Sequence, residues 1–309
     1  MEQKKQQLIN WLKFTEIRGF GSSRMLRLLG LFRSFENIYS ATYEDLFKTR
    51  IFSESMINDL KELRENRERE EYQSFIINVC EKENIKIIPF YSEDYPLRLK
   101  NLPDAPLTLY ALGNIDLLKG KKMAIVGSRE SDENAKNWAY ALSSELVRNG
   151  IIIVSGGAKG IDYQAHKAAI DMGGKTICVL GSGLLKTYPA DHRDLFNEIK
   201  LKGLLLSENP PDRKVDQIAL IRRNRIISGI SSGIVLATSS TKGGSKTQMK
   251  IAYSQRLPIF CPEISLGLLP NEGIIEGIKE YNVREMRNIN PILEEIHKED
   301  KFFTKQETL

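Results

Sequence analysis

"MAIVGSRESDENAKNWAYALSSELVRNGIIIVSGGAKGID", residues 123–162, sets the fold class. The apolar run Met123–Val126 breaks at Gly127-Ser128-Arg129, and a helix signal continues through "NAKNWAYALSSELVRNG". A second apolar run, Ile151–Val154, then breaks at Ser155-Gly156-Gly157. Short apolar runs without polar alternation read as strands buried on both faces, which is the signature of a parallel sheet. The same alternation continues outward. "TICVLGSG" precedes "DHRDLFNEIKLKG", "LLLSENPP" precedes an arginine-rich segment, "GIVLATSS" precedes "SKTQMKIAYSQRL", and "PIFCP" closes the series. This predicts an α/β fold: an extended Rossmann-like, doubly wound, mainly parallel sheet. Upstream, "IKIIPF" and "LTLYALG" read as two further strands that enlarge it.

Residues 1–75 read as a small all-helical N-terminal domain, because "LINWLKF", "SSRMLRLLGLF" and "YEDLFKTRIF" space their apolar residues three and four apart. The corner "IRGFGSSR" flanks Phe20 with Gly19 and Gly21. Two readings stay open for it: a helix-hairpin-helix whose amides face DNA phosphates, or plain packing of two helices. The Rossmann-like domain is expected over residues 76–285, and residues 286–309 read as a polar tail. Only about 25 polar residues come after the core, so no further C-terminal domain is expected.

The chain has 309 residues, 41% hydrophobic and 28% charged, with a formal net charge of +5. That composition is globular, and the mild basicity fits a polyanionic partner only where the charge is concentrated. Cys80, Cys178 and Cys261 are distant in sequence, and the latter two sit in apolar runs, so they read as buried thiols. His166, His192 and His297 are the only histidines and show no ligand spacing, so no metal or other cofactor is expected. No signal peptide or membrane-length apolar stretch is evident, which implies a cytoplasmic protein.

In a parallel sheet the C-terminal strand ends share one edge, where ligands bind. Four glycine-rich turns fall there: Gly127-Ser128-Arg129, Ser155 to Gly160, Gly181-Ser182-Gly183, and Gly243 to Thr247. Glycine turns feeding helix starts seat anions, and Arg129, Lys159, Lys242 and Lys246 lie within or beside them. The segment "LIRRNRIISG" adds Arg222, Arg223 and Arg225 around Asn224, with no acidic residue between Asp216 and Glu263 to pair locally. Guanidinium groups suit phosphates bidentately. A dinucleotide fingerprint fails because Lys186 stands where the third glycine belongs, and Ser240 and Ser245 replace the glycines of a P-loop.

Taken in order, "YPLRLKNLPDAPLTLYALG", "MAIVGSR", "VSGGAKGID", "LLSENPP", "RRNRIISG" and "GGSKTQ" resemble the DNA-processing protein A family (DprA, also called Smf), collinearly over roughly residues 17–265. The resemblance implies a non-enzymatic protein that binds single-stranded DNA, forms a homodimer and loads the RecA recombinase during natural transformation. It places Ser128, Arg129, Lys159, Arg222, Arg223, Asn224, Arg225, Gly244 and Ser245 along the DNA groove, and the residue reading adds Lys242 and Lys246. The chain departs from the family pattern at Asn134-Ala135, where a Tyr-Gly pair is usual, and at "QIALI" before the arginines. The alternative is a phosphoribohydrolase-like nucleotide N-glycosidase on the same fold. Its signature glutamate aligns with Lys250 and its third glycine with Lys246. An acid/base pair of Asp162 and His166 would serve it.

Overall fold

The computed structural model describes residues 2–307 and divides into two compact units, Met1–Ala111 with Glu208–Pro211, and Leu112–Ser207 with Asp212–Leu309. Among the described residues the first unit holds seven helices: Glu2–Phe14, Ser22–Phe32, Phe35–Ser40, Tyr43–Lys48, Glu54–Glu65, Arg67–Lys82 and the short Leu97–Lys100. Ser34, Thr42, Ser53 and Asn66 each accept a backbone N–H from the first turn they precede, which explains where four of these helices begin. Trp11, fully buried, meets Phe35 and Tyr91 edge-on and donates its indole N–H to Thr108 Oγ1 at 2.9 Å. The helix Arg67–Lys82 runs uninterrupted through position 75. Strands β1 (Lys86–Pro89) and β2 (Thr108–Gly113) pair antiparallel, Lys86 opposite Ala111 and Pro89 opposite Thr108.

The second unit is built on seven strands: β3 (Lys122–Val126), β4 (Ile152–Ser155), β5 (Thr176–Val179), β6 (Leu204–Ser207), β7 (Ile234–Leu236), β8 (Ile259–Pro262) and β9 (Arg284–Met286). They align in the order β6-β5-β4-β3-β7-β8-β9, and every pair in that series is parallel. The chain therefore starts in the middle, winds outward through β6, then returns beside β3 and winds the other way. The order reverses between β3 and β7. Strands β3 to β8 are buried on both faces, as their uninterrupted apolar runs require.

Two features lay outside the sequence expectation. Strand β9 carries no apolar run, and its first two residues are exposed, so no buried-strand pattern marks it. The region read as a polar tail, a frayed helix or a disordered end, forms a helix, Asn290–Glu307, and the unforeseen part is its packing: Ile292 and Ile296 join Ile289, Met286 and Leu146 in the core of the second unit. The i, i+3, i+7 spacing of those isoleucines makes one apolar stripe, which outweighs the polar residues between them. Residues 308 and 309, the end of the expected tail, lie outside the described residues. Cys178 and Cys261 are buried, as their apolar runs in the sequence suggested, and Cys80 is buried as well.

Replacing Ile292, which is fully buried, with alanine is expected to lower unfolding stability by about 2–4 kcal/mol. A urea melt unchanged by Ile292→Ala would show that this helix is dispensable to the core.

Candidate nucleic-acid interface

The strand reversal opens a cavity of about 570 Å³ beyond the C-terminal ends of β3 and β7. One wall is the turn after β3, Gly127-Ser128-Arg129-Glu130; the facing wall is the loop from Ser240 to Ser245 after β7. A third side comes from Gln217, Leu220 and Ile221, with Arg223, Asn224, Ile227 and Gln248 at the interior. This is the crevice that open α/β sheets use for ligands.

Both phosphate-sized walls are pinned from behind by hydroxyl groups. Thr238 Oγ1 accepts the Ser128 N–H at 3.0 Å and lies 2.8 Å from Ser131 Oγ, which itself donates to Ser128 O. Across the cavity, Ser240 Oγ donates to Lys242 O, Thr247 Oγ1 to Gly243 O, and Ser245 Oγ to Ser239 Oγ. The helix Gly244–Ser254 starts here without a side-chain cap, so its first amides and its positive end face the opening. Arg129 and Lys242 are exposed on the two walls and have no ion-pair partner among the described residues.

The other two glycine turns are differently employed. Asp162, buried near the start of the helix Ile161–Asp171, accepts the N–H groups of Gly156 at 3.2 Å and Ala158 at 3.3 Å. The amides that the sequence offered to a phosphate are thus already satisfied by an internal carboxylate. Gly181 abuts the Leu220 backbone, and the Gly183 N–H goes to Arg213 O. The turns after β3 and β7 supply most of the cavity's glycine-turn lining, and the turn after β4 adds only Ala158.

The arginine cluster also turns inward. Arg223 is buried; its Nη1 donates to Gly156 O at 2.5 Å and Val179 O at 2.7 Å, and its Nε donates to Asn224 Oδ1 at 3.0 Å. The side chain fills the space above Gly156, where an added Cβ would lie 2.0 Å from Nη1. Arg225 is buried as well and donates to Arg222 O at 2.7 Å. Of the three, only Arg222 is exposed, and only Arg223 reaches the cavity, from beneath. Lys246 pairs with Glu276, a residue thirty positions downstream that local inspection passed over. Lys159 is exposed and pairs with Asp191 at 2.7 Å, which raises the lysine pKa and lowers that of the carboxyl. The expected ring of Ser128, Arg129, Lys159, Arg222, Arg223, Asn224, Arg225, Lys242, Gly244, Ser245 and Lys246 is therefore divided. Ser128, Arg129, Arg223, Asn224, Lys242, Gly244 and Ser245 share the cavity, and Lys159, Arg222, Arg225 and Lys246 do not line it.

The sequence reading missed Gln217, Leu220, Ile221, Ile227 and Gln248 as lining residues. Their adjacency to the arginine segment and to "GGSKTQ" was the available signal.

At the N-terminal corner, Ser22 Oγ and Ser23 Oγ donate to Pro103 O, Arg24 donates to Gly19 O and Ile51 O, and Arg18 pairs with Asp59 at 2.7 Å. These groups are spent inside their own unit, which is the helix-packing reading of Gly19 and Gly21.

The model for the family DNA recombination-mediator protein A matches residues 86–297. The chain belongs to that family. It is 32% identical over 254 residues to protein Smf of Synechocystis sp., a match that covers 81% of this chain and 63% of that relative. The DNA processing protein A structure from Streptococcus pneumoniae superposes with a TM-score of 0.71 at 27% identity, covering 92% of this chain and 96% of the other. That of Helicobacter pylori, a protein with a structurally described single-stranded DNA binding mode, gives a TM-score of 0.62 at 28% identity and covers 70% and 96% of the two chains. The match spans less than two thirds of the length of three curated DprA and Smf relatives, 63%, 65% and 58% of those from Synechocystis sp., Bacillus subtilis and Streptococcus pneumoniae. Among the described residues no helix is long and apolar enough to cross a membrane.

Beneath the site, Thr176 Oγ1 donates to Ile153 O and so accepts from His166 Nδ1 at 2.7 Å. His166 Nδ1 therefore carries a proton, and Nε2 is buried with no partner among the described residues. Burial, then the Arg223 charge, pushes its pKa down to about 3. Burial raises the Asp162 pKa against the opposing pull of Arg223. An imidazole held this way resists protonation, and Asp162 is occupied by two backbone amides.

Unfolding measurements test both assignments. Arg223→Met should cost about 3–5 kcal/mol in urea unfolding, because it strips Gly156 O and Val179 O of their donor and leaves Asp162 buried without its countercharge. For His166, a folded pKa below the unfolded one means full stability above about pH 6.5 and loss as pH falls toward 3. Between pH 7 and pH 5 the loss should be about 2 kcal/mol and should vanish in His166→Gln. Parallel pH curves for the two proteins would refute the assignment.

Proposed function

We propose that this chain is a non-enzymatic single-stranded DNA-binding protein whose seat is the cavity at the strand reversal. One observation carries the reading. Two cations without carboxylate partners among the described residues, Arg129 and Lys242, face each other across a helix start whose amides are uncapped. Phosphates would rest on the turns at Ser128 and at Gly244-Ser245, with the exposed Arg222 reaching the strand as it leaves the cavity. Phosphate contacts position a strand without reading its sequence. From family membership the same reading includes protection of incoming single strands, recruitment of the RecA recombinase, a homodimer and a cytoplasmic place of action. The glycosidase reading is not favoured. Position 250 carries an exposed lysine where that chemistry needs a carboxylate, and Asp162 is tied to two backbone amides.

Fluorescence anisotropy against salt tests this. Three neutralised phosphates give log K a slope of about −2 against log salt, at roughly −0.7 per phosphate of a single strand. Arg129→Ala and Lys242→Ala should each weaken binding to all sequences alike and flatten the slope by about 0.7. Lys246→Ala, whose lysine is spent on Glu276, should leave the slope unchanged. Affinity independent of salt, or release of free base from a nucleotide, would overturn the reading.

A further inference from the structure

A second cavity of the Rossmann-like unit, about 640 Å³, lies at the opposite edge of the sheet, where β8 and β9 begin. Leu257 and Ile259 give it an apolar lining at the start of β8. Tyr253 and Arg256 come from the end of the helix Gly244–Ser254, and Tyr281 follows the helix Glu272–Glu280.

The charge of this lining has one sign. Arg256 is exposed and has no ion-pair partner among the described residues, and no carboxylate belongs to the lining. Arg284 is partly engaged: its guanidinium lies 4.6 Å from the centroid of the Phe260 ring and pairs with Glu295 at 3.2 Å. The aromatic part is ordered in advance. Tyr253, half-exposed, meets Tyr281 edge-on with ring centroids 5.5 Å apart.

An open helix C-terminus disfavours an anion, because its last carbonyls are unsatisfied. Both helices that end here are closed. The Arg256 N–H goes to Tyr253 O and the Leu257 N–H to Ala252 O, while the N–H groups of Tyr281 and Val283 go to Gly277 O. The closure puts Arg256 at φ 56° and Asn282 at φ 52°, in the left-handed region where glycine is the usual residue. At both ends a side chain that lines the cavity stands where glycine would be less strained.

We infer that this cavity binds one nucleotide unit, with the base stacked on Tyr253 and the phosphate held by Arg256. An inorganic anion has no use for an aromatic wall, and an apolar ligand has none for an unpaired guanidinium. A nucleotide uses both. The volume falls in the range of small-molecule sites. A free nucleotide and one link of a DNA strand offer the same chemistry. The cavity shares no lining residue with the one after β3 and β7, so the inference goes beyond the strand seat proposed above and does not rest on it.

Photocrosslinking of the full chain tests this, with two probes: oligo-dT carrying 4-thiothymine, and 4-thio-dTMP. Peptide mass spectrometry is expected to place the crosslink on the peptide that carries Tyr253 or Tyr281. In anisotropy, Tyr253→Ser should weaken the crosslinking probe on the order of tenfold. Arg256→Ala should weaken it several-fold and, for the strand, flatten the salt slope by about 0.7. Both side chains are exposed, and near-UV circular dichroism checks that the variants are folded. Crosslinks from the strand alone assign the cavity to DNA, and crosslinks from 4-thio-dTMP alone assign it to a free nucleotide; either keeps the site. No crosslink to those peptides in the unaltered protein overturns it, and so does unchanged binding of both probes in the two folded variants. If the substitutions alter only the sedimentation coefficient, the face is a contact between protein chains and the nucleotide site falls. Arg129→Ala separates the two readings. Loss of strand binding confined to that variant removes this site and keeps the strand seat, and loss confined to Tyr253→Ser and Arg256→Ala does the reverse.

Discussion

The sheet begins in its middle. Because β3 is laid down first and the later strands add on one side as far as β6 and then on the other from β7, the connections after β3 and β7 leave in opposite directions. The gap between them is where the cavity opens, lined by the turns after β3 and β7. The hydroxyl bridges through Thr238 and Ser239 then hold the two walls at a fixed separation. A site supported in this way needs little rearrangement on binding, which reduces the ordering cost of association.

Arg223 performs the complementary task beneath the gap. Its guanidinium bonds to carbonyls at the ends of β4 and β5, one strand and two strands away from β3. It thereby ties the segment that connects β6 to β7 to the ends of β4 and β5. The burial of such a charge is tolerable because its donors meet carbonyl oxygens and the Asp162 carboxylate is close by. The arginine cluster is thus chiefly a structural brace carrying one exposed member, Arg222.

Much of this fold was legible in the sequence, because buried parallel strands declare themselves as short apolar runs. Met123–Val126, Ile151–Val154, "TICV", "LLLS", "GIVL" and "PIFC" all became strands, and the turns after β3 and β7, singled out for their glycines, both line the cavity. The rest was illegible for identifiable reasons. Strand β9 is exposed and has no run to read. The helix from Asn290 hides its stripe of isoleucines among charged residues. Charge counting misplaced Lys246 and Arg225 because a cation's partner need not be local: Glu276 lies thirty residues away, and a backbone carbonyl has no sequence signature at all.

The contrast between the turn after β4 and the one after β7 carries a more general point. Both are glycine-rich, both contain lysine, and both feed a helix of eleven residues. They differ in the residues at the helix start. After Gly160 come Ile161 and Asp162, and the aspartate folds back to take the turn's own amides. After Gly243 come Gly244 and Ser245, which bring no carboxylate, and the helix start stays open. Neither helix start carries a side-chain cap, so the contrast lies in the preceding turn: Asp162 takes the Gly156 and Ala158 amides for itself, and no carboxylate does the same for the turn after β7 among the described residues.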